Sequence, residues 1–249
     1  MIGKSNAGIS RASTTDKITA QREHYEEIAR EFDVRYNRTN PNHMRKIDEI
    51  GRAFFANLAP KSEGYDFLEL GGGTGIHAES FLRKNLKQIR SFTLSDLSEA
   101  MLDEARKRLR DFQVNYFASP AEEIATTETF DGIYVSGAMH HFANPAAAIK
   151  SMRERLRPGG VLVICEPIVW NPVNFMKAVV DRLEWGQFFV TRHNIGRILT
   201  EQGYKTASSR VLHWRGGNRI SDLLWPYERL ETVGWLNYAA VMFLIAAIK

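Results

Sequence analysis

The chain is 249 residues long and 44% hydrophobic, enough to bury one full core, whereas two large domains would be cramped. Its formal charge of +4 is spread over mixed runs: Arg83, Lys84, Lys87 and Arg90, then Arg106, Lys107, Arg108 and Arg110 interleaved with Asp103, Glu104 and Asp111. These read as solvated helix faces and argue against a dedicated nucleic-acid surface. A single cysteine, Cys165, excludes an intrachain disulfide or a cysteine-zinc cluster and predicts a reducing, cytoplasmic setting.

Residues 1–16 carry no apolar run, so no secretory signal is expected there, and their Ser, Thr, Gly and Lys content predicts a disordered tail. The same scarcity of acids suits an organelle transit peptide, although Arg11 is the only arginine in the stretch. Lys17–Arg38 and Pro41–Leu58 predict two amphipathic helices, interrupted where Pro41 forces the residue before it into extended geometry. Residues 17–60 are thus expected to form a helical cover. From Tyr65 onward short apolar runs alternate with amphipathic stretches. Strands are expected over Ile89–Asp96, Val114–Phe117, Phe130–Ser136, Val161–Glu166, Thr206–Trp214 and Trp235–Ile248. Helices are expected over Ile76–Leu86, Ser98–Leu109 and Pro145–Leu156. This alternation predicts a doubly wound, mostly parallel sheet. The apolar run Tyr238–Ile248 is too short for a membrane helix and reads as a buried strand.

The most informative stretch is Phe67–Gly75, Phe-Leu-Glu-Leu-Gly-Gly-Gly-Thr-Gly, an apolar strand entering a glycine-dense turn. Without a Cβ, the backbone at Gly71, Gly73 and Gly75 can turn sharply and approach a ligand closely, and the following helix offers free N–H groups. The pattern predicts a nucleotide-type cofactor. A second strand ends in Asp96, where a carboxylate can grip the hydroxyls of a ribose. A dinucleotide fingerprint would need a third glycine where Ile76 stands, which makes a nicotinamide or flavin cofactor a poor fit.

Glu69-Leu-Gly-Gly-Gly-Thr-Gly75 followed by Ser95-Asp-Leu-Ser-Glu-Ala-Met-Leu102 resembles the class I S-adenosylmethionine-dependent methyltransferase family. Further blocks extend the resemblance over Tyr65–Pro167: Phe130–Ser136, Gly137-Ala-Met-His-His-Phe142, and Leu156-Arg-Pro-Gly-Gly160. The segment His24–Tyr36 is similar to the aromatic entry helix of quinone and small-molecule methyltransferases. The resemblance implies a Rossmann-like, seven-stranded methyltransferase domain over 61–249, with N-terminal helices and a cap after the fifth strand. It implies S-adenosylmethionine as cofactor, with Glu69 and the glycine turn at its methionine part, Asp96 at ribose, Leu97 and Met101 packing adenine, Ser136 at the fourth strand's end, and Tyr25 and Tyr36 covering the site. Where many relatives carry Gly-Asp-Ala-Glu, this chain reads Ser119-Pro-Ala-Glu122. Either the Ala121 amide and Glu122 hold adenine, or that edge is left to water. Each residue also has a purely structural reading: Glu69 and Asp96 as caps, Met101 as core.

All five tryptophans, Trp170, Trp185, Trp214, Trp225 and Trp235, follow Pro167. Aromatic residues concentrated there can line a pocket for an apolar acceptor or pack a cap onto the sheet. Two lid insertions are expected, 168–190 and 215–234. Trp170, Phe175 and Trp185 are expected at the substrate, with His43, and Arg192 with His193 is placed to receive an anionic group. His140 and His141 follow the fourth strand, and His140 is the expected general base, an imidazole titrating near neutrality. The alternative is that the pair only orients backbone or cofactor. No metal site is expected. The expected activity is methyl transfer to a small organic or lipid-like molecule by a monomer or homodimer. Cyclisation or rearrangement with the same cofactor, or an RNA or protein acceptor, are the alternatives. Ser136-Gly-Ala-Met139 replaces the Asn-Pro-Pro-Tyr expected of a nucleic-acid amino-methyltransferase.

Overall fold

The computed structural model describes residues 13–35, 41–213 and 240–249. Tyr36, Trp214, Trp225, Trp235 and the expected insertion 215–234 lie outside the described residues. Helix α1 (Thr14–Arg35) starts three residues before its expected first residue, Lys17. The reason is local: the Ser13 hydroxyl accepts from Asp16 N at 3.1 Å while Asp16 accepts from Ser13 N at 3.0 Å, a reciprocal cap. Helix α2 (Pro41–Phe55) follows.

The remaining elements alternate: β1 (Tyr65–Leu70), α3 (Ile76–Asn85), β2 (Ile89–Asp96), α4 (Glu99–Arg108), β3 (Asn115–Ala118), β4 (Phe130–Ser136), α5 (Pro145–Arg155), β5 (Leu156–Pro167), α6 (Pro172–Val180), α7 (Arg192–Glu201), β6 (Lys205–His213) and β7 (Ala240–Ile248). The strands form one seven-stranded sheet in the order β3-β2-β1-β4-β5-β7-β6. All pairings are parallel except those of β7, which runs antiparallel to both β5 and β6. The mostly parallel, doubly wound sheet is therefore present. β5 begins at Leu156 and not at Val161, because Leu156 pairs with Phe130 across a register shift in the Arg-Pro-Gly-Gly turn. The C-terminal apolar run is a buried strand from Ala240 onward. Among the described residues, no helix is long and apolar enough to cross a membrane.

Both sheet faces are covered, which is why β1 and β4 are buried along their whole length. On one face Phe54, Phe67, Phe81, Phe92 and Tyr134 pack beneath α2, α3 and α4; on the other, Leu68, Leu70, Ile133, Val135, Leu162 and Ile164 pack beneath α5 and α7. Gly132 makes the aromatic layer possible: a Cβ there would come within 2.5 Å of the Phe67 ring and 2.8 Å of Phe54. At the opposite end from the glycine turn, Arg157 bridges Asp66 at 2.8 Å and Asp131 at 2.9 Å. Arg90 also pairs with Asp66, so it is not simply part of a solvated face.

The chain reverses its direction of travel across the sheet between β1 and β4. In such sheets ligands bind in the crevice outside the carboxyl ends of the strands at that point. The β1 turn, Asp96 and the Gly137–Phe142 loop all lie at that end.

Candidate functional site

The turn after β1 runs through left-handed backbone at Gly71, Gly73 and Gly75 (φ 67, 53 and 76°). It is held by Gly72 N donating to Ser95 O at 3.1 Å and Gly75 N to Gly72 O at 3.0 Å. A Cβ built on Gly73 meets nothing within 4 Å, and the same holds for Gly137 (φ 68°) at the end of neighbouring β4. Open space therefore lies in front of both strand ends. Ser136, the last residue of β4 and next to Gly137, is 4% exposed and its hydroxyl has no hydrogen-bond partner, as is also true of Thr93 and Ser95 on β2.

Asp96 reaches the turn directly. One carboxylate oxygen accepts from Gly73 N at 2.8 Å and the other from Ser98 N at 3.0 Å. Burial raises its pKa while these backbone bonds oppose the rise. The helix-capping role belongs to Ser98, whose hydroxyl accepts from Met101 N at 3.3 Å. An ionised carboxylate offers about four lone-pair sites. Asp96 thus retains capacity for ribose hydroxyls while holding the turn. Met101 is buried on the first turn of α4, beside Leu97 at the end of β2.

Glu69 is 1% exposed and lies on the Phe67 face of β1, beneath α3. Its carboxylate accepts from the Tyr134 hydroxyl at 2.9 Å and stands 3.7 Å from His77 Nδ1. Lys46 of α2 meets His77 Nε2 at 2.7 Å. Burial pushes the Glu69 carboxyl up to about 8, with the Tyr134 bond and Lys46 pulling it down. Lys46, His77 and Tyr134 carry no sequence motif, and only the packing of α2 and α3 on the sheet brings them together.

On the β3 side, Ala121 is buried, and Glu122 accepts from Asn144 N at 2.9 Å at the start of α5. The Glu122 carboxylate therefore helps hold a helix start.

The loop after β4 is organised by Glu166 at the end of β5. One oxygen accepts from Ala138 N and Met139 N, both at 2.9 Å. The other accepts from His140 Nδ1 at 2.6 Å. The second ring nitrogen of His140 lies 3.1 Å from Glu184. His140 is 6% exposed, and although burial lowers its pKa, the two carboxylates outweigh that and raise it to about 9. With both nitrogens engaged, this imidazole has no lone pair free to accept a substrate proton. Glu184, which sequence reading did not single out, belongs to a 3-10 turn, Arg182–Phe188, within the expected insertion 168–190. The turn docks so closely that a Cβ on Gly186 would lie 1.6 Å from the His140 carbonyl oxygen.

His141 faces α1. Its ring meets Tyr25 edge-on at 5.7 Å, and its carbonyl accepts from the Gln21 amide. The entry helix and the β4 loop are therefore joined at Tyr25. At its other end α1 is tied to the glycine turn through Asp33, which accepts from the Thr74 hydroxyl at 2.7 Å and pairs with Arg108. Arg108, expected on a solvated face, is 6% exposed.

Around α6, Trp170 and Phe175 stack at 6.5 Å with planes 20° apart, and Phe188 meets Phe175 edge-on at 6.0 Å. Trp170 is 58% exposed and Trp185 50%, so neither is core. Arg192 donates to the Ser209 hydroxyl at 2.6 Å and carbonyl at 2.7 Å, tying α7 to β6. His43 lies in the first turn of α2.

Known proteins sharpen this picture. A family model described as a methyltransferase domain matches residues 36–209. A ubiquinone/menaquinone biosynthesis C-methyltransferase, UbiE, of Vibrio campbellii is 27% identical over 181 residues, 71% of this chain and 65% of its own. The chain spans less than two thirds of the length of the curated relatives it matches. Among solved structures, the N-methyltransferase NodS of Bradyrhizobium japonicum, in complex with S-adenosylhomocysteine, superposes with a TM-score of 0.63 at 18% identity, covering 92% of this chain and 97% of that one. The [4+2]-cyclase SpnF superposes with a TM-score of 0.59 at 17% identity, covering 83% and 81%.

Proposed function

Because the chain belongs to the methyltransferase-domain family, we propose that it binds S-adenosylmethionine at the ends of β1, β2 and β4 and transfers its methyl group to a small organic or lipid-like acceptor. One observation carries the reading: Asp96 is hydrogen-bonded to the Gly73 amide at 2.8 Å, while the space in front of Gly73 and Gly137 is open and the buried Ser136 hydroxyl beside it lacks a partner. A carboxylate for the ribose, an unobstructed glycine backbone and an unmet polar atom suit the charged, hydroxyl-rich cofactor. Bound there, the cofactor supplies an electrophilic methyl on a sulfonium.

The chain's own part is alignment and exclusion of water, which such a transfer chiefly needs. Asp96 holds ribose and turn together. Leu97, Met101 and Ala121 offer apolar packing for adenine, and Glu69 lies behind the turn on the methionine side. Glu166 fixes the Gly137–Phe142 loop through two amides and His140, so His140 is a positioning residue in this reading. Tyr25 of α1 packs on His141 of the β4 loop, which supports a role for the entry helix as a cover. The exposed aromatic group Trp170, Phe175 and Trp185 beyond β5 supports an apolar acceptor. The similarity to quinone C-methyltransferases agrees with that acceptor class.

Sharing a fold with a cyclase leaves the reaction open in principle. Calorimetric titration with S-adenosylhomocysteine, followed by an assay for its release with a panel of phenolic, quinol and prenylated acceptors, tests both levels. Binding that Asp96→Ala weakens about ten- to a hundredfold supports the cofactor site. Cofactor binding with product formed but no S-adenosylhomocysteine released would favour cyclisation or rearrangement, and absence of binding would overturn the reading.

A further inference from the structure

The cluster beside the β4 loop brings together three side chains that can ligate a metal. His140 donates Nδ1–H to Glu166 at 2.6 Å, which leaves Nε2 as the lone-pair nitrogen of a neutral ring. That nitrogen faces a carboxylate oxygen of Glu184 at 3.1 Å, so the two share either a proton or a metal ion. His140, His141 and Glu184 each bring one ligand atom within 4.8 Å of the others, and His140 and Glu184 are buried.

We propose that His140 Nε2, His141 and Glu184 form a three-ligand site for a divalent borderline metal of the zinc class, with a fourth position open to an oxygen donor. The geometry agrees. Ligands about 2.0 to 2.2 Å from a tetrahedral ion lie about 3.4 Å apart, close to the 3.1 Å between Nε2 and Glu184.

The surroundings are those of a metal site. Glu166 on Nδ1 is the carboxylate partner that a ligating imidazole characteristically has, fixing tautomer and ring orientation. Gln187, 2% exposed, donates Nε2–H to Glu184 and leaves its Oε1 without a partner, an acceptor suited to a metal-bound water. Gly186 seats the Glu184 turn against the His140 backbone, so the third ligand is delivered by packing. Three protein ligands with one open position is the arrangement that polarises an oxygen substrate.

The site stands on its own residues, and its test needs no cofactor. Purified full-length protein without an affinity tag, stripped with chelator, is titrated with Co²⁺ and Zn²⁺. The expected result is one equivalent bound per chain, visible d–d absorption from Co²⁺ with histidine ligands, and displacement by Zn²⁺. Glu184→Gln and His141→Ala should each weaken binding by about a hundredfold or more. Glu166→Gln, acting through His140, should weaken it about ten- to a hundredfold. Circular dichroism of each variant separates ligand loss from unfolding, and Arg192→Ala, remote from the cluster, should bind as the wild type does. Absence of stoichiometric binding by the wild type overturns the proposal, as does binding that folded Glu184→Gln and His141→Ala leave unchanged. Binding of S-adenosylhomocysteine is measured on the same samples, so failure of the metal site and failure of the cofactor site are read separately.

Discussion

Asp33 of α1 accepts a hydrogen bond from the Thr74 hydroxyl at 2.7 Å, so the N-terminal helix is fastened to the glycine turn after β1. Arg108 of α4 completes the knot, donating to Thr74 O at 2.7 Å and pairing with Asp33. Asp33→Ala leaves the Arg108 guanidinium buried with a partner removed, costing about 1.5 to 3 kcal/mol of stability. The same variant should speed hydrogen exchange in α1 and weaken S-adenosylhomocysteine binding several-fold. Unchanged exchange in α1 would mean that the helix is held chiefly by Tyr25 and its neighbours.

Gly73 separates steric from conformational demands. Since a Cβ there meets no protein atom, Gly73→Val should fold, at a cost of roughly 1 to 2 kcal/mol for a side chain in left-handed backbone. Its side chain would fill the space assigned to the cofactor, so binding should be abolished while the far-ultraviolet spectrum is retained. Retained binding would show that the ligand lies elsewhere.

Gly186 makes the opposite case, because its neighbour is backbone. A Cβ 1.6 Å from the His140 carbonyl forces the Glu184 turn away. Gly186→Ala should lower Tm by several degrees, in keeping with roughly 1 to 3 kcal/mol for overpacking, and should detach Glu184 from His140. A crystal structure of the variant with the His140–Glu184 contact intact would contradict this.

Glu69 carries a pH signature. Its carboxyl is raised from 4.5 to about 8 by burial, so between those values the folded chain keeps a proton that the unfolded chain has released. Stability therefore falls as pH rises through that window and levels off above it. Burial depresses Lys46 as well, and the slope it contributes has the opposite sign. Urea melts of wild type and Glu69→Gln across the window should differ increasingly toward pH 8, with the variant gaining relative stability. Parallel profiles would show that Glu69 is ionised in the folded chain throughout.

Trp170 and Phe175 test the cap. Both are partly exposed and stacked on each other, so Trp170→Ala should leave cofactor affinity within about twofold, given a surface contact worth a few tenths of a kcal/mol. Turnover with an apolar acceptor should fall through KM. Equal loss in cofactor and acceptor binding would assign these rings a structural role.

Local chemistry determined much of this protein from sequence alone. The sharp glycine turn at Gly71, Gly73 and Gly75, the start of α4 near Ser98 and the alternation of buried strands with amphipathic helices each depend on neighbouring residues, so short windows of sequence were enough to find them. The cofactor class followed from the family pattern around Glu69 and Asp96. What tertiary structure decided were meetings across long stretches of chain. Nothing near His140 in sequence shows that Glu166 and Glu184 will occupy both its nitrogens, and that enclosure turns an expected base into a cation or a metal ligand. Nor does the mixed charge of α4 show that Arg108 will be buried against Asp33, or the apolar run of β4 that Tyr134 will bond Glu69. Side-chain protonation depends on burial and on the net field of distant groups, and those exist only once the sheet has brought its strand ends together.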